Sequence, residues 1–155
     1  MANIEDVASY VLDSTGYIST MKLQKLVYYS QAVHLVSKGT PLFENRIEAW
    51  ANGPVAPDLF GLHRHKYIIG AGELARGDVR GVGCEEAASI ERVLAVLGAW
   101  TGAQLSELTH IEAPWADARA GLAPGARSDA EITQRAMRDF YGSAACKNPL
   151  FSTVA

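Results

Sequence analysis

The sequence predicts a mainly α-helical, single compact domain of about six helices, with one short β-strand or hairpin near residues 46–50. Three observations support this fold class. The chain has 155 residues, which fits one domain. Hydrophobic residues make up 48% and charged residues 20%, as in a globular protein with one core. Apolar residues also recur at helical spacing in several segments. We expect the domain to cover residues 1–145 and a loosely held tail to cover residues 146–155.

Two helices are predicted at the N-terminus. In the first, apolar residues recur at i, i+3, i+4, i+7 and i+8; Asn3 can cap its start and Gly16 follows its end. The second begins after Ser19 and ends before Gly39. Residues 26–36 contain no Asp, Glu, Lys or Arg, and their apolar side chains surround the helix. A helix that is apolar on most sides is buried on most sides, so this is the predicted central helix.

The strand and the turn follow in "RIEAWANGPVAP". The side chains of residues 46–50 would alternate between two faces, as in a short strand, with Ile47 and Ala49 on one face and Glu48 and Trp50 on the other. Asn52 and Gly53 permit positive φ, and Pro54 fixes the next φ, which is typical of a turn. We expect Pro54 and Pro57 to end any strand ladder, and a short helix to begin near Pro57.

The second half of the chain is predicted to be helical beyond a loose segment. Residues 66–83 are glycine-rich and weakly periodic. Residues 85–100 restore a helical apolar stripe, and a further helix is expected to end at Pro114. Ser128 and Glu131 have the spacing of a capping box, which predicts that the last helix begins there.

Composition restricts the class of partner. The net charge is −3, so the chain as a whole lacks the basic character of a nucleic-acid-binding domain. Lys22 and Lys25 lie on a helix that could resemble a recognition helix. The alternative is that both lysines face solvent in the first turns, and the charge balance favours it. We therefore expect no direct nucleic-acid partner.

The compartment and the redox state follow from what the sequence does not contain. No apolar run is long enough to span a membrane, and no basic and apolar leader is present at the N-terminus. Cys84 and Cys146 lie far apart and fit no metal-binding spacing. We expect a cytoplasmic protein with no membrane partner, no metal and no cofactor.

Catalytic patterns are weak. His63 and His65 point to different sides of a helix, so "HRHK" is better interpreted as a solvated basic turn than as a metal site. No nucleophile elbow and no phosphate-binding loop occurs in the sequence. His110 and Glu112 could serve a small hydrolase, although His110 on an apolar helix is more often a core or capping residue. We expect no catalytic residue and no enzyme.

Three segments together resemble the Panacea, or SocA-like, antitoxin domain family. They are "MKLQKLVYYSQ" (21–31), "PLFENRIEAWANGPVAPDLF" (41–60) and "LSELTHIEAPW" (105–115), in the order and at the spacing of that family. The matching residues are Lys22, Leu23, Gln24, Lys25, Leu26, Tyr28 and Tyr29 in the first, Pro41, Leu42, Glu48, Ala49, Trp50, Gly53, Pro54 and Val55 in the second, and Leu105, Thr109, His110, Pro114 and Trp115 in the third.

The resemblance implies a function that spacing alone does not. Members of the family are small, mainly helical, cytoplasmic antitoxins of bacterial and phage toxin–antitoxin systems, with a place in phage defence. The implied activity is neutralisation of a cognate protein toxin by direct binding. The alternative is a proteolytic adaptor that delivers the toxin to a ClpXP-type protease. No cofactor and no enzymatic activity accompanies the domain.

Two regions are the expected contact sites. Trp50, Asn52, Gly53 and Pro54 form a rigid corner with an aromatic side chain, which suits a binding hot spot. The turn rules alone would explain the same residues as a structural corner. The second expected region is the adaptable basic segment that follows. Its candidate residues are Arg64, Lys66, Arg76 and Arg80.

Overall fold

A computed structural model describes residues 1–151 of the chain. A mainly helical fold was predicted, and these residues contain seven α-helices, one more than expected. The additional helix is the short segment Ala113–Ala118, where the sequence predicted only the end of a helix at Pro114. The helices are α1 (Ile4–Thr15), α2 (Thr20–Lys38), α3 (Pro57–His63), α4 (Cys84–Leu97), α5 (Gly102–His110), α6 (Ala113–Ala118) and α7 (Gln134–Tyr141).

Helix α2 is the centre of the domain, as predicted. It packs against α1, α4, α5 and α7, and every residue from Leu23 to Leu35 is buried. The hydroxyl of Ser19 caps its start by accepting a hydrogen bond from the Lys22 N–H, and Gly39 ends it in the left-handed conformation. The charge-free run therefore lies in the middle of the core.

Five short strands form two antiparallel sheets. Strands β1 (Ile18–Ser19) and β4 (Ile68–Ile69) make a two-stranded sheet. The other sheet has the order β3-β2-β5, in which β2 (Ile47–Trp50) and β3 (Gly53–Val55) form the expected hairpin. Strand β5 (Glu131–Ile132) was not expected, so the strand content exceeds one hairpin.

Pro54 does not end the ladder, contrary to the prediction. It lies inside β3, where it is the partner of Ala49 on β2. Strand β3 is an edge strand, and an edge strand tolerates a residue that has no N–H. The prediction for Pro57 is correct, since α3 begins at that residue.

The predicted capping box at the last helix is wrong. Glu131 lies in β5, and α7 begins after Thr133, whose hydroxyl accepts from the Ala136 N–H. The Ser128 hydroxyl accepts instead from the Ala130 N–H. Pairing of β5 with β2 buries Ile132, and this tertiary contact overrides the local signal.

The expected loose tail is partly packed into the domain. The side chains of Asn148 and Leu150 are buried, and a short 3-10 helix covers Pro149–Phe151. Residues 152–155 lie outside the described residues. The domain limit at residue 145 stays a prediction.

Within residues 1–151, no helix is both long and apolar enough to cross a bilayer. In the same part of the chain, no group of three or more His, Cys, Asp and Glu side chains is placed to hold a metal ion. Cys84 is exposed and Cys146 is half-buried, and neither forms a disulfide.

Candidate partner-binding groove

The hairpin β2–β3 is fixed in place by side chains that lie outside it. Carbonyl groups along the hairpin accept hydrogen bonds from buried or half-buried side chains of α2, α5 and α6 and from the residue that follows α6. These bonds position the hairpin backbone whatever side chains the hairpin itself carries. The pairs are Arg119 to Ala49 (3.1 Å), Trp115 to Trp50 (2.8 Å), Ser106 to Asn52, and Lys25 to Pro54 (3.1 Å).

Gln24 fixes the backbone just beyond the hairpin. Its Oε1 accepts from the Ala56 N–H at 2.9 Å, and its Nε2 donates to the Ala56 carbonyl at 3.4 Å. The same Nε2 lies 2.9 Å from His63 Nε2. His63 is buried, so the interpretation of "HRHK" as a fully solvated turn is wrong for this residue. Burial lowers the pKa of His63, which favours the neutral imidazole.

Lys25 is buried beneath the hairpin, with 1% of its surface exposed. The expectation that Lys22 and Lys25 face solvent is therefore wrong for Lys25. Its Nζ donates to the Pro54 carbonyl, and no carboxylate within residues 1–151 lies at ion-pair distance from it. Burial lowers the pKa of Lys25 to about 7. Lys22, one turn earlier, is half-buried and donates to the Gly98 carbonyl at 2.6 Å.

Gly53 is the residue around which the three motif segments meet. Its φ is +119°, a conformation that side chains rarely adopt. A Cβ at this position would lie 2.5 Å from Lys25 Cε and 3.0 Å from Thr109 Oγ1. Both the backbone conformation and the close approach of Lys25 therefore require glycine here.

A groove of about 1120 Å³ opens on the outer side of this arrangement. The hairpin and α3 form one wall, the starts of α2 and α5 form another, and residues 125–129 border it. Its surface combines apolar side chains with a few polar groups. The lining includes Met21, Gln24, Lys25, Glu48, Trp50, Asn52, Val55, Phe60, His63, Tyr67, Thr101, Ala103, Arg127 and Asp129.

Trp50 belongs to both the scaffold and the groove. Its indole is half-buried, packs edge-to-face on Phe60 with ring centroids 4.9 Å apart, and donates from Nε1 to Glu48 at 2.9 Å. The ring also lines the groove beside Asn52, which is exposed. Trp50 is thus held in one orientation while part of its surface remains open.

Exposed apolar side chains continue the groove surface onto the β1–β4 sheet. Tyr17 is 76% exposed, Tyr67 is 82% exposed and Ile68 is 55% exposed. Met21, which lines the groove together with Tyr67, is also exposed. We call these four residues the tyrosine patch. Contiguous exposed apolar groups of this kind mark interaction surfaces.

The expected contact residues divide into three groups. Trp50 and Asn52 line the groove, whereas Gly53 and Pro54 are buried behind it. The four basic residues of the following segment are exposed and lie outside the groove lining. Their roles in binding stay predictions. They are Arg64, Lys66, Arg76 and Arg80. Lys66 pairs with Glu73, and Arg80 pairs with Asp78.

Glu112 and His110 do not form the pair that a hydrolase would need. The Glu112 carboxylate is buried and accepts hydrogen bonds from Tyr29, Tyr141 and Asn148. Burial raises its pKa. The His110 ring stacks on the indole of Trp115, with ring centroids 4.0 Å apart. Its Nε2 has no hydrogen-bond partner within residues 1–151. Both residues serve packing in this arrangement.

Two residues that build the site gave no signal in the sequence. Arg119 is buried and donates to carbonyls on both the hairpin and the loop that borders the groove. Ser106 likewise acts through a partner far away in sequence, since its hydroxyl donates to the Asn52 carbonyl. Only tertiary contacts define these roles, so no local pattern could have identified them.

The geometry thus combines a helical scaffold, a rigid hairpin and a wide, partly apolar groove. The chain belongs to the antitoxin SocA-like family with the Panacea domain, whose profile matches residues 23–116. It is 33% identical over 126 residues to antitoxin SocA of Caulobacter vibrioides (strain NA1000 / CB15N). That match covers 70% of this chain and 66% of the relative. No solved structure matches the chain.

Proposed function

We propose that this chain is the antitoxin of a bacterial or phage toxin–antitoxin system and that it neutralises a cognate protein toxin by direct binding. The observation that carries the proposal is the groove itself. Family-motif residues on α2, the hairpin and α5 hold its wall, and the tyrosine patch extends it. The curated relative is an antitoxin, and this supports the same function here.

The surface is large enough for this role. A stable protein interface covers about 800 Å² on each partner. That is about a tenth of the 7968 Å² of accessible surface on this chain. Trp50 in the groove is already held in place, and the tyrosine patch adds exposed aromatic side chains. Aromatic groups of this kind dominate the binding energy of interfaces.

The contact residues in this proposal have different tasks. Trp50 and Asn52 touch the toxin directly, because both line the groove. Gly53 and Pro54 contribute by holding the corner. The basic segment then supplies attraction at longer range and raises the association rate. Its residues in this role are Arg64, Lys66, Arg76 and Arg80.

The proposal places neutralisation in the bacterial cytoplasm, with a place in phage defence, and needs neither a cofactor nor a catalytic step. Covering the active surface of the toxin is sufficient. The described residues offer no specific feature that favours the adaptor mechanism or a hydrolase.

The test is co-expression with the product of the neighbouring reading frame. That product alone should stop growth, and co-expression with this chain should restore it. The two purified proteins should also elute as one complex. If growth is not restored, the antitoxin function is wrong. Restored growth that is lost in a strain without ClpXP would replace direct neutralisation with the adaptor mechanism.

A further inference from the structure

The groove lining includes a buried lysine amine that has no carboxylate partner within residues 1–151. Lys25 lines the groove and is otherwise buried, and its ammonium makes one hydrogen bond, to the Pro54 carbonyl. An ammonium has three hydrogens to donate. No carboxylate within residues 1–151 pairs with it. A buried charge without a partner costs stability unless something else compensates it.

The other charged groups of the groove do not compensate Lys25. Glu48 is already engaged, since Arg46 donates to one carboxylate oxygen at 2.8 Å and Trp50 donates to the other at 2.9 Å. Arg127 and Asp129 are exposed at the border and have opposite charges. Among the charged groups that line the groove, Lys25 is therefore the buried one without an opposite charge beside it.

The rest of the lining selects a peptide over a small molecule. The groove is larger than the roughly 300–1,000 Å³ of common small-molecule sites. Val55, Phe60 and Trp50 provide apolar surface inside it, and Tyr67 extends that surface towards the exposed Ile68. An apolar surface that continues out of the groove fits a chain that enters and leaves it.

We propose that the groove binds an extended segment of the partner protein in which one carboxylate, from Asp, Glu or the C-terminus, is placed over Lys25 between apolar side chains. This inference rests on the proposed function, because it identifies which part of the toxin the groove would recognise. The carboxylate supplies the counter-charge that the free protein lacks. A neutral or basic segment would supply no counter-charge, and burial would then continue to favour the neutral amine of Lys25.

The scaffold role of Lys25 is separable from its charge. Met has a similar length and fills the same space, and removal of a buried charge offsets the loss of the hydrogen bond to the Pro54 carbonyl. Lys25→Met should therefore keep the fold. The matched control is Lys22→Met, which makes the same substitution on the same helix at a residue outside the groove lining.

The experiment selects peptides from a phage-displayed library of random dodecapeptides on the wild-type chain and on both variants. Wild type and Lys22→Met should enrich peptides with one acidic residue between apolar ones. Lys25→Met should show no acidic preference. The best acidic peptide should bind wild type at least about tenfold more tightly than its Glu→Gln or Asp→Asn counterpart. On Lys25→Met the two peptides should bind equally.

Two further variants test whether the selected peptide binds in the groove. Ala103→Trp should abolish binding, since Ala103 is exposed and lines the groove. Ala88→Trp, on the exposed surface of α4, should not. If Lys25→Met does not fold, the affinities of the acidic peptide and its amide counterpart for the wild-type chain still test whether the groove prefers a carboxylate.

Four results would overturn the inference. The first is that wild type selects peptides without an acidic preference, and the second is that no peptide is enriched at all. The third is that Lys25→Met and Lys22→Met lose the acidic preference equally. The fourth is that the wild-type chain forms a dimer that Ala103→Trp dissociates. The last result would assign the groove to a second copy of the chain. None of these needs the toxin, so failure here is distinct from a failed rescue of growth.

Discussion

The hairpin at residues 47–55 and the basic segment at residues 64–83 are neighbours in sequence but are held in very different ways. Buried side chains from several helices bind the hairpin backbone. The basic segment is anchored by the pairing of β4 with β1, by the burial of Ile69 and Leu74 and by a bond from the Asp78 N–H to Asp6. Its charged residues form short-range surface pairs. Three family-motif residues, Gln24, Lys25 and Trp115, thus fix the backbone of the hairpin and of the residue that follows it. The charged residues of the basic segment lie outside the motif.

The largest expected effect is the replacement of Gly53. Gly53→Ala should lower the free energy of unfolding by about 3 kcal/mol, because it combines an unfavourable φ with a clash against Lys25. Gly72 is the matched control in the basic segment, with φ +83° and open space around it. Gly72→Ala should cost about 1 kcal/mol. Urea unfolding measures both, and equal losses would contradict the contrast between the regions.

The next effect concerns the hydrogen bonds that fix the end of the hairpin. Gln24→Ala should lower the free energy of unfolding by about 2 kcal/mol, because the buried N–H of Ala56 and Nε2 of the buried His63 lose their partner. In the basic segment, Lys66→Ala removes only an exposed ion pair with Glu73 and should leave the urea midpoint unchanged. A larger effect at Lys66 than at Gln24 would reverse the comparison.

The buried lysine should make stability depend on pH. Folded Lys25 releases its proton near pH 7, whereas the unfolded residue holds it to about pH 10.5. Between these values the unfolded state binds more protons, so stability rises with pH. The increase is about 1 kcal/mol between pH 7 and pH 8. Lys25→Met should lack this increase and Lys66→Met should retain it, as measured by urea unfolding at each pH. An unchanged slope in Lys25→Met would contradict the burial of a titrating ammonium.

The smallest expected effect tests the basic segment in binding. Replacing Arg64, Lys66, Arg76 and Arg80 by alanine should slow association with the toxin up to about tenfold at low salt and leave dissociation unchanged. Surface plasmon resonance at two salt concentrations measures both rates. Unchanged association together with intact neutralisation would remove this segment from the interface.

The sequence predicted the elements better than their boundaries. The central helix followed from its charge-free run, and its caps at Ser19 and Gly39 were correct because capping is local chemistry. The start of α7 was wrong because pairing of Ile132 with β2 outweighed the capping signal at Glu131. Long-range pairing of this kind leaves no local trace.

The site was predictable only in part. The corner at Trp50 and Asn52 was found from turn chemistry and from the family resemblance. The burial of Lys25 was missed because lysine in the first turns of a helix is normally solvated. Only the position of the hairpin above α2 shows that this lysine is enclosed.

The most direct test of the central claim fills the groove without touching the scaffold. We predict that Ala103→Trp folds as wild type does but loses toxin binding and the rescue of growth, since the exposed Ala103 lines the groove. Ala88→Trp should keep both, because that residue lies on the outer surface of α4. Affinity is measured by isothermal titration with the purified toxin. If Ala103→Trp binds the toxin as tightly as Ala88→Trp does, the groove is not the binding surface.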